Sequence, residues 1–260
     1  MTARRRASRL LGLSRRAALG FGLFLGTWHA AAAKPVELEL ILAVDVSASV
    51  RAEEFDLQMR GYAEAFRTLQ LIEAIKTAGG IVVTMMQWAN PDQQEIAIGW
   101  MHVYDATSAE RFATAVDATP RFFEMGQTAM GRALEFCLTM FPAKGFESRR
   151  RVIDVSGDGY SNQGILPNGV RDRAVRAGIT INGLPITTKE RFLPSYYERN
   201  VIGGPGAFLI VAKDYAAFGE AIVAKLIREV REAHIATAPR PDGADDGART
   251  SIVPAATGGG

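Results

Sequence analysis

Cysteine and histidine are scarce in this chain of 260 residues, and their scarcity excludes several kinds of site. The single cysteine, Cys137, rules out an intramolecular disulfide and a multi-cysteine metal site. Its place in an apolar helical pattern predicts a buried small residue rather than a reactive thiol. Only His102 and His234 lie beyond the N-terminal segment. A zinc site or a Ser–His–Asp triad needs more than these two residues supply.

Beyond its N-terminal segment, the chain also lacks an apolar run long enough for a membrane helix. Residues 1–33 combine a basic start without acids, a short apolar stretch at 17–28 and the possible cleavage site Ala31-Ala32-Ala33. We interpret 1–33 as a signal peptide, with an uncleaved anchor as the alternative. Residues 14–19 weakly resemble a twin-arginine signal. We therefore expect a periplasmic or secreted protein.

An excess of basic charge is missing once this segment is set aside. Residues 1–33 hold six of the 30 basic residues and none of the 28 acidic ones, which leaves a net charge of −4 for the remainder. The sequence therefore gives no reason to expect nucleic-acid binding. We expect one domain over residues 34–235. The stretch 236–260, rich in Ala, Pro, Gly and Asp, is predicted to be disordered.

Strand and helix patterns alternate along residues 34–235, apart from one hairpin. We predict six strands, at Val36–Val46, Ile81–Trp88, Glu95–Val103, Arg151–Ser156, Ile179–Ile186 and Ala207–Ala212. This order predicts an α/β fold, a three-layer doubly wound sandwich whose mostly parallel sheet has one antiparallel edge strand. Asp154 lies inside an apolar strand, and we expect a neighbouring arginine or a backbone donor to pair with it.

Oxygen-bearing side chains lie on three of the loops predicted to leave the carboxyl end of the sheet. The apolar run Leu40–Val44 ends at Asp45, and Ser47 and Ser49 follow at every second position. Thr128 precedes a predicted helix, and Asp158 follows a strand. Because ligands bind at the carboxyl ends of parallel strands, these five residues are expected to converge. Two carboxylates and three hydroxyls suit Mg²⁺ or Mn²⁺, which prefer oxygen ligands.

This pattern resembles the metal-ion-dependent adhesion site of von Willebrand factor A domains, and the nearest similarity is to a bacterial exported family of unknown function. The resemblance covers roughly residues 36–233. It implies that Ser47, Ser49 and Thr128 are hydroxyl ligands of Mg²⁺, with Mn²⁺ or Ca²⁺ as alternatives. Asp45 and Asp158 would act through bound water or as alternating direct ligands. Gly157 departs from the pattern, because many such domains have Thr before the Asp-Gly pair.

The resemblance implies a binding function rather than an enzyme. An acidic residue of a protein partner would complete the metal shell, because two carboxylates only neutralise a divalent cation and the hydroxyls add no charge. Trp88, Asn90 and Gln93 lie on or near the hairpin turn, where they could frame the ligand surface; for Trp88 a core position is favoured. The oligomeric state stays open.

Three alternatives use the same residues. Ser47, Ser49 or Thr128 could simply cap the helix that follows. Asp45 could be the nucleophile of a haloacid-dehalogenase-like phosphatase, but that chemistry needs an acid where Ser47 stands. The same chemistry also needs a second acid late in the sequence, and Asn162 stands at that position. The third alternative is a scaffold that has lost metal binding.

Overall fold

A computed structural model of the chain describes residues 33–143 and 145–235, apart from the side chains of residues 234 and 235. The predicted signal peptide up to residue 32 and the predicted tail lie outside the described residues. The strands are β1 (Lys34–Asp45), β2 (Ile81–Trp88), β3 (Gln94–Val103), β4 (Phe146–Gly157) and β5 (Ile179–Pro185). The helices are α1 (Ala52–Arg67), α2 (Leu69–Thr77), α3 (Ala106–Asp117), α4 (Met130–Met140), α5 (Pro167–Arg176), α6 (Leu193–Asn200) and α7 (Phe218–Ile235).

The sheet has the strand order β3-β2-β1-β4-β5, with β1 at its centre. Strands β1, β2, β4 and β5 run parallel, and β3 pairs with β2 in the antiparallel sense. The predicted hairpin therefore forms one edge. The α/β class, the mostly parallel sheet and the antiparallel edge strand are confirmed.

The prediction of six strands is wrong, because the described residues form five. The segment predicted as the sixth, Ala207–Ala212, lies beside β5 but pairs with it only through isolated bridges at Gly183–Leu209 and Ile186–Ala212. Between these bridges β5 contains Pro185, which has no N–H to donate. The ladder is interrupted at that point, so the segment follows the sheet edge without extending it.

Helices cover both faces of the sheet because β1 is apolar on both sides. Leu38, Leu40 and Leu42 pack into a cluster with residues of α1, α2, α3 and α7. Ile41 and Ala43 pack on the opposite face with residues of α4, α5 and α6. The alternation follows from the two-residue period of a strand. The three-layer arrangement leaves the carboxyl end of β1 at the edge where its loop begins.

A buried ionic cluster joins β4 to α7 beneath the sheet. Lys225 Nζ lies 2.8 Å from Asp154 Oδ1 and 2.8 Å from Glu229 Oε1, and these side chains are fully buried. Asn182 on β5 donates to both oxygens of Glu229, at 2.9 and 2.8 Å. The partner of Asp154 is thus a lysine of the last helix, and the expected arginine or backbone donor was wrong.

Replacing Lys225 tests how far this cluster fixes the last helix. Lys225→Met would leave Asp154 and Glu229 buried without a cation, so we expect a loss of about 3–5 kcal/mol in the free energy of unfolding. Urea denaturation measures it. Lys76→Met is the control, because Lys76 forms a half-exposed pair with Glu73 and should change stability by less than about 1 kcal/mol. Equal effects of the two substitutions would contradict the role assigned to the cluster.

Candidate functional site

The five predicted oxygen residues come together at the carboxyl edge of the sheet. Asp45 is the last residue of β1, and Ser47 and Ser49 lie in the loop between β1 and α1. Asp158 follows the last residue of the neighbouring strand β4, and Thr128 stands two residues before α4. The parallel pairing of β1 with β4 places both acids at one end of the sheet.

Hydrogen bonds connect the five residues. Asp45 Oδ1 accepts from the backbone N–H of Ser47 at 2.8 Å. Ser47 Oγ and Ser49 Oγ lie 3.1 Å apart, and Thr128 Oγ1 donates to Ser47 Oγ at 3.4 Å. Ser49 Oγ donates to Asp158 Oδ1 at 2.5 Å. The side chains of Thr128, Ser47, Ser49 and Asp158 therefore contact one another in series, and Asp45 joins them through the backbone of Ser47.

The carboxylate of Asp45 is the most constrained member of the group. Its side chain is fully buried, and Oδ2 finds no hydrogen-bond partner among the described residues. Burial, followed by the negative charge of Asp158, raises the pKa of Asp45 to about 7. A buried carboxylate with an unpaired oxygen is costly without a cation or donor beside it.

The three hydroxyl residues do not cap the helices that follow them. Residue Arg51 is the N-cap of α1, and Glu54 accepts from the backbone N–H of Arg51 at 2.8 Å. Ala129 holds the N-cap position of α4. The alternative in which Ser47, Ser49 or Thr128 serves only as a helix cap is therefore wrong.

Thr128 is clamped from two sides. Its backbone N–H donates to Asn162 Oδ1, and its carbonyl accepts from the backbone N–H of Asn162, both at 2.9 Å. On the other side, the backbone N–H of Gln127 donates to Asn90 Oδ1 at 2.7 Å. The turn between β2 and β3 thus supports the Thr128 loop.

Trp88, at the end of β2, is fully buried in the core, as favoured from the sequence.

A polar relay that joins two side chains of α1 to one of β4 supports the backbone of Asp45. Tyr62 Oη donates to Ser156 Oγ at 3.1 Å, and Ser156 Oγ donates to Gln58 Oε1 at 3.2 Å. Gln58 Nε2 then donates to the backbone carbonyl of Asp45 at 3.3 Å. All three relay side chains are buried. The relay holds the end of β1 in place, and no local sequence pattern points to it.

Gly157 has a steric explanation in the structure. A Cβ atom at this position would lie 2.8 Å from Asp45 Oδ2 and 3.1 Å from the hydroxyl of Tyr197. The side chain of Tyr197 is fully buried on α6. The departure from Thr at position 157 therefore leaves room for a carboxylate and a phenol against the strand.

Two basic residues that the sequence did not single out also reach the site. Arg121 Nη2 donates to the carbonyls of Val46 and Ser47, at 2.8 and 3.0 Å. Lys189, after β5, contacts the carbonyl of Ser49 and lies 3.4 Å from Asp158 Oδ2. Lys189 has a detectable signal, since it follows a predicted parallel strand at the same sheet edge. Arg121, in a long connection, has no comparable signal.

The donor set suits a divalent cation that prefers oxygen. Asp45 Oδ2 is buried and unpaired within the described residues. Asp45 Oδ1 accepts from the backbone of Ser47, whose hydroxyl contacts those of Ser49 and Thr128. Within residues 33–143 and 145–235, no three of His, Cys, Asp and Glu are grouped so that they could hold a metal. A metal here would therefore depend on Ser and Thr hydroxyls. The assignment of these five residues as metal ligands stays a prediction.

Solved structures share this fold at low sequence identity. Proximal thread matrix protein 1 from the mussel byssus matches with a TM-score of 0.57 and 17% identity, over 78% of this chain and 49% of that chain. Another structure of it, with a zinc-occupied metal-ion-dependent adhesion site motif, matches with a TM-score of 0.50 and 18% identity, over 78% and 46%. This chain thus spans about half the length of that protein.

Two bacterial structures give the same result. A von Willebrand factor type A structure from Catenulispora acidiphila matches with a TM-score of 0.51 and 15% identity, over 78% of this chain and 43% of that chain. The von Willebrand factor domain of the type V pili tip protein Mfa5 from Porphyromonas gingivalis matches with a TM-score of 0.51 and 8% identity, over 75% and 96%. The predicted resemblance to von Willebrand factor A domains is confirmed at the level of the fold.

Sequence comparison adds one family. A family model described as "Protein of unknown function (DUF1194)" matches residues 35–234. Among curated proteins, none matches this chain.

The close approach of Gly157 to Asp45 gives a test of the site's packing. Gly157→Ala places a methyl group against Asp45 Oδ2, so we expect a loss of about 1–3 kcal/mol in unfolding free energy, measured by urea denaturation. Gly169→Ala on α5 is the matched control, because nothing lies within 4 Å of its added Cβ, and it should be neutral or stabilising. Unchanged stability of Gly157→Ala would show that the site tolerates the extra volume.

Proposed function

Because the chain belongs to the DUF1194 family and has the fold of von Willebrand factor A domains, we propose that it binds a protein partner through a divalent metal ion. The observation that carries the proposal is the meeting of Asp45, Ser47, Ser49, Thr128 and Asp158 at one edge of the sheet, together with the buried, unpaired Oδ2 of Asp45. These residues lie on three separate loops, so local structure alone does not account for their meeting.

The proposed metal is Mg²⁺, with Mn²⁺ or Ca²⁺ as alternatives. Hard oxygen ligands favour these ions, and the site offers carboxylates and hydroxyls. The zinc reported in the mussel protein's motif belongs to that protein and supports only the general idea of a divalent ion. When bound, the metal would supply a positive centre for an anionic ligand. In this chain, the relay from Gln58 and the Asn162 clamp would keep the ligand loops in place.

The proposed ligand is a carboxylate on a protein partner. Two carboxylates neutralise a divalent ion, so an open coordination position favours an anion. Large apolar side chains are exposed on the loops at the same edge of the sheet: Phe122, Met125, Leu166 and Phe192. Aromatic and methionine side chains are enriched at protein interfaces. We therefore propose an acidic residue flanked by apolar contacts as the recognised feature.

We also propose that the domain covers residues 34–235 and acts outside the cytoplasm, after removal of residues 1–33. The basic, acid-free start and the Ala31-Ala32-Ala33 site support export. In the part of the chain that the structure describes, no helix has both the length and the apolar composition needed to cross a bilayer.

The phosphatase alternative has little support at the site. Position 47, where that chemistry needs an acid, holds Ser47, whose hydroxyl contacts Ser49 and Thr128. Asn162 is occupied in clamping the backbone of Thr128. A hydroxyl cannot protonate a leaving group near neutral pH. We therefore propose a binding protein without enzymatic activity, and a metal-free scaffold is the outcome if no metal binds.

Metal binding is tested by titration calorimetry with Mg²⁺ and Mn²⁺ on the chain lacking residues 1–33. We expect one site per chain, and Asp45→Asn should abolish it while raising the stability of the metal-free protein by about 2 kcal/mol, because a buried charge is removed. Asp172→Asn, at a half-exposed carboxylate on α5, is the control and should bind normally. A wild-type protein that releases no heat with either ion, and is not stabilised by them, would refute the metal site.

The partner is tested by affinity capture from an extract of exported proteins. Wild-type protein with Mg²⁺ should retain a partner that is lost with a chelator and lost with Asp45→Asn, because the metal bridges the two proteins. Asp172→Asn should retain it. Capture that survives both the chelator and Asp45→Asn would support a metal-free scaffold instead.

A further inference from the structure

Lys189 reaches into the site from the connection between β5 and α6. Its ammonium donates to the carbonyl of Ser49 and lies 3.4 Å from Asp158 Oδ2 and 3.9 Å from Glu54 Oε2. The side chain of Lys189 is 43% exposed, whereas those of Asp158 and Glu54 are 0% and 4% exposed. A flexible cation on the solvent side thus faces two buried carboxylates.

The two oxygens of Asp158 have different neighbours. Oδ1 accepts from Ser49 Oγ at 2.5 Å and faces the hydroxyl chain, whereas Oδ2 faces Lys189 at 3.4 Å. A cation among the hydroxyls and the ammonium of Lys189 would therefore share one carboxylate. Since like charges repel, each would weaken the hold of Asp158 on the other.

Other basic groups near the site do not share this geometry. Arg121 binds backbone carbonyls of the β1–α1 loop, and Arg51 pairs with Glu54 at 2.8 Å. Among the ion pairs of the described residues, Asp158 is paired with Lys189. Lys189 is thus the basic side chain placed to compete for this carboxylate.

We propose that Lys189 is a built-in counter-ion of Asp158, which stabilises the metal-free protein and lowers the affinity of the site for divalent cations. This inference rests on the proposed metal site. The Ser49 carbonyl holds the ammonium beside Asp158 until a divalent ion competes for that carboxylate. The exposed side chain can then move into solvent at little cost, because it is not packed in the core.

The proposal predicts opposite effects of Lys189→Met on two measured quantities. By calorimetry, Mn²⁺ should bind about tenfold more tightly than to wild type, because a positive charge is removed near the site. In the presence of a chelator, the midpoint of thermal unfolding should fall by about 2–4 °C, because buried Asp158 loses its cation. A side chain that merely supports the fold would lower both affinity and stability.

Two variants control for charge and position. Lys189→Arg keeps the positive charge and should stay near wild-type Mn²⁺ affinity. Lys76→Met removes a lysine from α2, where Lys76 pairs with Glu73, and should leave the affinity unchanged. High salt should reduce the difference between Lys189→Met and wild type, because it screens a partly exposed charge.

The outcomes separate this proposal from the metal site itself. Tighter binding by Lys189→Met supports the proposal, including the case in which only this variant binds detectably. Equal or weaker binding by Lys189→Met, with a wild type that binds Mn²⁺, overturns the proposal and leaves the metal site standing. If neither wild type nor Lys189→Met binds, the metal site fails and the proposal fails with it.

Discussion

The burial of the Asp45 carboxylate at the end of the central strand is the constraint on which the site depends. Apolar residues on both faces of β1 draw the strand into the middle of the sheet, and they carry the acid with it. Its Oδ1 has a donor in the Ser47 backbone, and Oδ2 has none among the described residues. The proposed cation would supply the missing partner of this carboxylate, and the neighbouring hydroxyls would be its further ligands.

A second buried carboxylate, that of Asp154, is neutralised by a lysine. Asp154, within β4, is also fully buried, but Lys225 of α7 lies 2.8 Å away. Strand β4 therefore carries two buried acids with different partners. Asp158, just after its end, faces the half-exposed Lys189, whereas Asp154 within the strand pairs with the buried Lys225. The internal cluster joins the last helix to β4, whereas the carboxylate of Asp158 at the sheet edge faces the half-exposed ammonium of Lys189.

Much of the fold could be predicted from local patterns. The run Leu40–Val44 predicted a strand buried on both faces, and the alternation of strands and helices predicted the layers. The sixth strand was wrong because one proline, Pro185, lies on the partner strand and removes a ladder donor. The pattern of residues 207–212 alone gives no information about a missing N–H donor on the adjacent strand β5.

The candidate site could be predicted only in part, because local patterns indicate the residues at strand ends but not their distant neighbours. Asp45, Ser47, Ser49, Thr128 and Asp158 each follow or precede a recognisable element, so topology alone brings them to one edge. The residues that support them come from distant positions: Gln58 of α1 donates to the carbonyl of Asp45, and Arg121 donates to the carbonyl of Val46 across 75 residues. Such contacts depend on side-chain geometry, which periodicity does not encode.

The metal site is tested most directly by anomalous diffraction from crystals of the domain grown with Mn²⁺. We expect a single strong peak bounded by the side-chain oxygens of Ser47, Ser49 and Thr128, with Asp45 and Asp158 bonded to it directly or through water. Well-diffracting crystals with saturating Mn²⁺ and no peak at this edge of the sheet would contradict it.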